Sequence, residues 1–158
     1  MAAAVEKPQA GRVATNRKAF HDYTVLDRVE AGIELVGTEV KSVRSGNVTL
    51  TGGFARLDNG QVTLCDVHIA PYECGNRFNH DPRRPRRLLL NRKEIDRLIG
   101  LVQQKGCTLV PLTMFFRKNR WAKIELGICK GKQDEDKRET LKRKTADQEA
   151  RRAMRRAR

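Results

Sequence analysis

A chain of 158 residues with 33 Lys or Arg against 19 Asp or Glu, a formal charge of +14, has room for one core and some tails. Such a charge favours a polyanion as partner and disfavours a neutral small molecule as the main ligand. No apolar run approaches the ~20 residues that cross a bilayer, and Met1 to Val5 is too short for the apolar part of a signal peptide, so a cytoplasmic protein with no membrane partner is expected.

In chain order, residues 1–15 mix Ala, Lys, Gln, Gly and Pro without a period and read as a flexible leader, with the folded part starting at Asn16-Arg17-Lys18. From Tyr23 to Leu35 the loose alternation of Tyr23, Val25, Val29, Ile33 and Leu35 predicts a strand, and Ala31-Gly32 reads as a bulge or strong bend within it. Gly37 to Gly46 predicts a short helix that Thr38 caps and Gly46 ends, with Val40 and Val43 toward the core. Lys41 and Arg44 then share another face, as phosphate contacts or as solvated charges.

Ala55 to Leu57 and Val62 to Val67 flank Asp58-Asn59-Gly60, and Asn-Gly is a strong hairpin signal because both residues tolerate positive φ. The following loop, Pro71 to Arg87, is rich in turn formers and interleaves Tyr72 and Phe78 with Arg77, Arg83, Arg84, Arg86 and Arg87. Arginine pairs with phosphates and stacks on bases, so Asn76, Asn79, His80, Arg83, Arg84, Arg86 and Arg87 are candidate RNA contacts; the bland alternative is a surface loop in which His80-Asp81 pins a turn.

A helix follows, capped by Asn91 with Glu94 three residues on, striped by Ile95, Leu98, Ile99 and Val102 and stopped by Gly106. Leu109 to Arg117 and Trp121 to Ile128 predict a second hairpin around Lys118-Asn119-Arg120, with Pro111 marking an edge or a bulge. Five or six short strands and two helices in about 115 residues suggest a mainly β, OB-like antiparallel barrel with flanking helices, spanning 16–131.

The last stretch, Lys137 to Arg158, holds ten Lys or Arg against three acidic residues and no aromatic. Ala146, Ala150, Ala153 and Ala157 line one helical face but bury too little to offset the entropy of ordering, and the arginines repel one another. A tail over 132–158 is therefore expected to be disordered when free and helical against phosphates.

Enzyme and metal readings find little support. Cys65, Cys74, Cys107 and Cys129 form no CxxC pair and read as buried reduced thiols, and no nucleophile elbow, phosphate-cradling glycine loop or two-metal carboxylate set is present. No cofactor and no catalytic residue are expected.

Seven ordered blocks carry a resemblance: Asn16-Arg17-Lys18-Ala19, His21-Asp22-Tyr23, Glu30-Ala31-Gly32-Ile33, Gly37-Thr38-Glu39-Val40-Lys41-Ser42, Asn79-His80-Asp81-Pro82, Leu88-Leu89-Leu90-Asn91, and Gly131-Lys132 followed by Asp136-Lys137-Arg138. From about residue 16 to 138 the chain resembles the small protein B family, the SsrA-binding proteins of bacteria. The resemblance implies an OB-like barrel that binds the tRNA-like domain of transfer-messenger RNA and brings that alanine-charged RNA, together with elongation factor Tu, to ribosomes stalled without a usable stop codon. It implies a binding factor, and a monomer is expected.

Carried over by position, Glu30, Leu89 and Asn91 match family residues linked to RNA binding, with Lys41, Arg44 and the 79–87 segment around them. Glu30 cannot contact phosphate favourably, so it either hydrogen-bonds base or ribose or positions a neighbouring Arg or Lys; the bland alternatives for the others are that Asn91 only caps its helix and that Leu89 is core. His21, Tyr23, Ile128, Gly131 and Lys132 match a surface that faces the ribosome. Asp136, Lys137, Arg138, Lys142, Arg143, Lys144, Arg151, Arg152 and Arg155 belong to a tail that, in the family, lies in the empty messenger channel of the small subunit beyond the decoding centre. Gln133 departs from a second Lys in the family pattern. Two other readings stay open on the residues alone: a barrel that binds ribosomal RNA directly, and an RNA-processing enzyme.

Overall fold

The computed structural model of the chain describes residues 11–156. Its elements are β1 (Arg12–Thr15), α1 (Arg17–Asp22), β2 (Tyr23–Ile33), α2 (Gly37–Arg44), β3 (Val48–Thr49), β4 (Phe54–Asp58), β5 (Gln61–Cys65), β6 (His68–Ile69), β7 (Arg86–Leu89), α3 (Arg92–Lys105), β8 (Thr108–Arg117), β9 (Trp121–Gly131) and α4 (Asp134–Arg156), with a 3-10 turn at Glu73–Phe78. Antiparallel pairings run from β8 to β4, β5, β7, β2 and β9, and β9 returns to β8; β1 adds to β8, and β3 and β6 form a separate short ladder. This is the mainly β, OB-like architecture with flanking helices that the periodicity predicts.

Alternation explains the core. Ile124, Leu126 and Ile128 of β9 point inward with Val62 and Leu64 of β5 and Leu109 and Met114 of β8, while Val43 of α2 and Ile95 and Leu98 of α3 pack onto the same cluster. β8 is buried from Leu109 to Phe116, beyond what a one-sided strand requires, because α1 covers part of its outer face: Ala19 packs there against Val110, Leu112 and Cys129. Asn16 fastens α1 in place. Its Oδ1 accepts from the Ala19 amide at 3.1 Å, and its Nδ2 donates to the carbonyls of Pro111 at 3.0 Å and Leu50 at 3.3 Å.

Both predicted hairpins form. Asn59 and Gly60 turn the first with φ of 50° and 71°, and Lys118 and Asn119 turn the second with φ of 51° and 55°, the left-handed pair that matches the strands' twist. Pro111 sits at a register shift in β8, the predicted bulge. α3 starts as expected, with the Asn91 amide donating to Glu94 Oε2 at 3.0 Å, and Gly106 ends it at φ 57°.

Several expectations need correction. Arg12–Thr15, assigned to the leader, is a strand because the backbone of β8 at Thr113 to Phe115 offers it an edge; the leader's first ten residues lie outside the described ones. The irregularity in β2 lies between Val25 and Asp27, where Leu26 is exposed, and not at Ala31-Gly32. Val36, not Thr38, begins α2, with its amide donating to Glu39 Oε2 at 3.1 Å. β1, β3, β6 and β7 exceed the expected strand count, being too short or too basic to show a period. Cys107 and Cys129 are buried, and burial, then the neighbouring Cys107, raises the Cys129 thiol to about 11, but Cys74 is exposed. Apart from these corrections, Asp134–Arg156 forms a helix whose residues from Leu141 to Arg155 are all exposed.

One polar knot joins α2 to β7. The Glu39 carboxylate, 7% exposed, accepts from Arg84 at 2.9 and 2.6 Å and from Arg86 Nε at 2.9 Å, and Arg86, 0% exposed, also donates to the carbonyls of Val67 at 2.8 Å and Pro82 at 3.0 Å. Burial alone would raise the Glu39 carboxyl; Arg84, the Val36 amide and Arg86 outweigh it and hold the carboxyl below its ordinary 4.5. Removing one partner strands buried charge, so Glu39→Ala is expected to lower stability by about 3–5 kcal/mol in chemical denaturation. A depressed folded pKa gives stability that is complete above about 4.5 and is lost as pH falls through the folded value. Wild type should therefore weaken on acidification from there downward, and Glu39→Gln should show a flatter acid limb.

Candidate nucleic-acid interface

The end of β2, the β7–α3 junction and the β8–β9 hairpin converge on one groove. It has a volume of about 510 Å³ and is lined by Glu30, Leu89, Leu90, Asn91, Glu94, Arg117 and Lys123. Pairing dictates this meeting: Gly32 lies opposite Leu89 on one side and Lys123 on the other, and Glu30 lies opposite Glu125. Two carboxylates facing each other across a ladder repel. Each is answered by cations: Glu30 Oε1 lies 3.0 Å from Arg117 Nη1 and 3.6 Å from Lys123 Nζ, and Glu125 lies 3.6 Å from Arg28.

Leu89 is 53% exposed and is not core, and Glu30 lies against two cations while staying part-exposed. Asn91 is exposed at the helix start, where capping and outward display are compatible. Arg117 and Lys123, which sequence reasoning passes over as hairpin residues, are brought in by tertiary pairing; their signal is only that they are cations near the two ends of a turn.

The α2 and loop residues form a second region. Arg44 lies 4.6 Å over the Phe116 ring and donates to Asn119 O at 3.1 Å and Oδ1 at 3.3 Å, so it clasps the hairpin turn while staying exposed. Lys41 Nζ sits 5.2 Å from the Tyr72 ring centre. Asn79 pins its loop, its Oδ1 accepting from the Tyr72 amide and its Nδ2 donating to the Tyr72 carbonyl, both at 2.9 Å. Asp81 Oδ1 accepts from the Arg83 amide at 2.9 Å, which makes Asp81 a turn residue. His80, Arg83 and Arg87 are exposed, and Asn76 falls in the 3-10 turn.

Two assignments are overturned. Arg86 is not a phosphate contact, since its guanidinium is fully buried on Glu39 and two carbonyls, and Arg84 is committed to the same carboxylate at its inner side. Ile128, expected on an outer surface, is 2% exposed within the barrel core, because it continues the inward alternation of β9.

At the other end of β2, Tyr23 pairs with Gly131, about 23 Å from Glu30 at roughly 3.3 Å per residue. Lys132 ties this end together, its amide donating to Asp22 O at 3.0 Å and its Nζ to Phe20 O at 3.1 Å. His21 Nδ1 lies 2.8 Å from Asp22 Oδ1, and that hydrogen bond holds the Asp22 carboxyl below its usual range. A side chain added at Gly131 would meet open space, so the backbone there is uncovered. Asp136, Arg138, Lys142, Arg143, Lys144, Arg151, Arg152 and Arg155 are exposed along α4, and Lys137 is half-buried near its start. Among the described residues no cluster of His, Cys, Asp or Glu is placed to hold a metal, and no helix is long and apolar enough to cross a membrane.

Residues 13–156 match the family model described as SmpB protein. An SsrA-binding protein of Carboxydothermus hydrogenoformans is 54% identical over 143 residues, covering 90% of this chain and 95% of that one. One from Chloroflexus aurantiacus is 55% identical over 156 residues, covering 98% and 97%. A solved structure described as "tmRNA-SmpB: a journey to the center of the bacterial ribosome" superposes with a TM-score of 0.67 at 50% identity, covering 84% of this chain and 95% of that chain.

The ion pair at the groove is solvent-exposed and serves to place charge rather than to hold the fold. A double-mutant cycle with Glu30→Gln and Arg117→Ala should give a coupling in unfolding free energy below about 1 kcal/mol. A larger coupling would make the pair a structural one.

Proposed function

The chain belongs to the SmpB protein family, the SsrA-binding proteins, and from that premise we propose that it binds the tRNA-like domain of transfer-messenger RNA and delivers that RNA to stalled ribosomes for trans-translation. The observation that carries this reading is the groove: Glu30, Leu89 and Asn91, drawn from three elements, share it with Arg117 and Lys123. Glu30 repels phosphate, so its part is to orient the two cations and to accept from ribose or base hydroxyl and amino groups, while the cations take the backbone. Lys41, His80, Arg83 and Arg87, exposed in the second region formed by α2 and the loop, are assigned further contacts to the same RNA. The role is that of a binding factor without turnover, acting as a monomer in the cytoplasm and carrying the RNA together with elongation factor Tu.

The domain plan follows: a leader, a barrel that grips the partner RNA, and a tail from 132 that engages the small subunit. His21, Tyr23, Gly131 and Lys132 face the ribosome at the opposite end of β2, and the tail probes the empty messenger channel beyond the decoding centre. Support comes from α4 itself, which is exposed from Leu141 to Arg155 and therefore gains no barrel packing there. An isolated helix of this composition is marginal in water and loses order without a partner; RNA walls relieve its arginine repulsion. The acidic Asp136 and Glu139 in its first turns and the arginines in its last match the helix dipole, so the helical state is favoured once charge is neutralised.

Binding to the tRNA-like domain should exceed binding to an unrelated hairpin RNA by about tenfold or more at about 0.2 M salt, where the shared phosphate contribution is weakened. Equal binding would overturn the reading. Truncation after Arg138 should leave RNA affinity unchanged and abolish tagging on stalled ribosomes in a reconstituted translation assay; a large loss of RNA affinity would make the tail a phosphate anchor.

A further inference from the structure

We propose that Trp121 and Leu89 form a platform on which one unpaired base of the bound RNA stacks, with Arg117 and Lys118 beside it to take the adjoining phosphates. This rests on the proposed function and names how part of that RNA is recognised. Trp121 is 64% and Leu89 53% exposed, the two most exposed large apolar side chains of the barrel among the described residues. Single exposed apolar residues need no explanation. Two that line the same groove do, and this one, about 480 Å³, adjoins the groove of Glu30 and Asn91 through Leu89, Arg117 and Lys123.

The platform is built. Trp121 lies directly opposite Arg117 at the first rung of the β8–β9 hairpin. Arg44 fixes the turn behind them through its two hydrogen bonds to Asn119. Gly32 forms the floor, where an added Cβ would stand 3.2 Å from Leu89 Cβ, so the absence of a side chain lets Leu89 lie across β2. The charged residues lining the groove among the described ones are Arg117, Lys118 and Lys123, with the carboxylates of Glu30 and Glu94 in the adjoining groove.

An excess of cations around an aromatic face suits a nucleotide: the indole takes a base and the cations take its phosphates. The volume falls in the ordinary range for small ligands, about 300–1,000 Å³, which admits one nucleotide and not a duplex. A paired base in an A-form helix offers no free face, so the occupant is an unstacked base of a loop or bulge.

The chain has one tryptophan, so its intrinsic fluorescence reports Trp121 alone. The full-length protein is titrated with the tRNA-like domain of transfer-messenger RNA while anisotropy of an end-labelled RNA reads the bound fraction independently. Stacking predicts indole quenching in step with binding, an affinity loss of about tenfold in Trp121→Ala, and near-full retention in Trp121→Phe. Trp121→Ala should keep the salt slope of binding, whereas Arg117→Ala should reduce it by about one. Unchanged fluorescence with wild-type binding by Trp121→Ala would overturn the platform and leave the RNA reading standing. Failure to prefer this RNA over an unrelated hairpin would overturn both. Because Trp121 is exposed, its removal opens no core cavity, and Trp121→Phe separates stacking from any fold defect.

Discussion

The ladder between β2 and β9 is the constraint on which the rest of the molecule depends. It runs from Tyr23 opposite Gly131 to Gly32 opposite Lys123, with Ala31, Ile124, Leu126 and Ile128 buried beneath it. One continuous pairing thus carries the Glu30 groove at one end and the His21–Tyr23 surface, with the root of α4, at the other. A slip by a single residue would turn every inward side chain outward, so the hydrophobic pattern of β9 fixes the separation between the two surfaces. Under the proposed function, this separation leaves room for the partner RNA and the ribosome on one small barrel.

The Glu39 knot performs a different task. It fastens the strand that ends in Leu89 to the helix that carries Lys41 and Arg44, and Arg44 in turn clasps the hairpin that carries Arg117 and Trp121. Burial pulls the Arg86 guanidinium below its ordinary range while Glu39 works against that shift, so the pair's strength comes from mutual satisfaction in a dry place. The exposed pairs, such as Arg97 with Asp27 and Arg56 with Asp58, add little by comparison. Basic residues therefore divide into two populations: a few that build the scaffold and many that face outward for a polyanion.

Local signals were legible in the sequence, and non-local ones were not. Asn59-Gly60, the Asn91–Glu94 start of α3 and the alternation of β9 each depend on neighbours in sequence, and each has its expected form. β7 does follow a two-residue period, with Arg86 and Leu88 in and Arg87 and Leu89 out, but a buried arginine is invisible until its carboxylate is known to lie 47 residues upstream. β1 needs the edge of β8, and the Arg117–Glu30 pair needs a separation of 87 residues to close. Of the groove, Glu30, Leu89 and Asn91 were reached through family resemblance, while Arg117, Lys123 and Trp121 emerge only from the folded pairing.

The central claim is that partner RNA occupies the Glu30 end of the β2–β9 ladder and leaves the Tyr23 end open. Amide hydrogen exchange of the full chain, with and without the tRNA-like domain of transfer-messenger RNA, tests this most directly. The account predicts new protection in residues 30–34, 86–92 and 117–123 and none in 17–24 or 130–143. Protection concentrated in the latter two segments, with the groove unchanged, would contradict it.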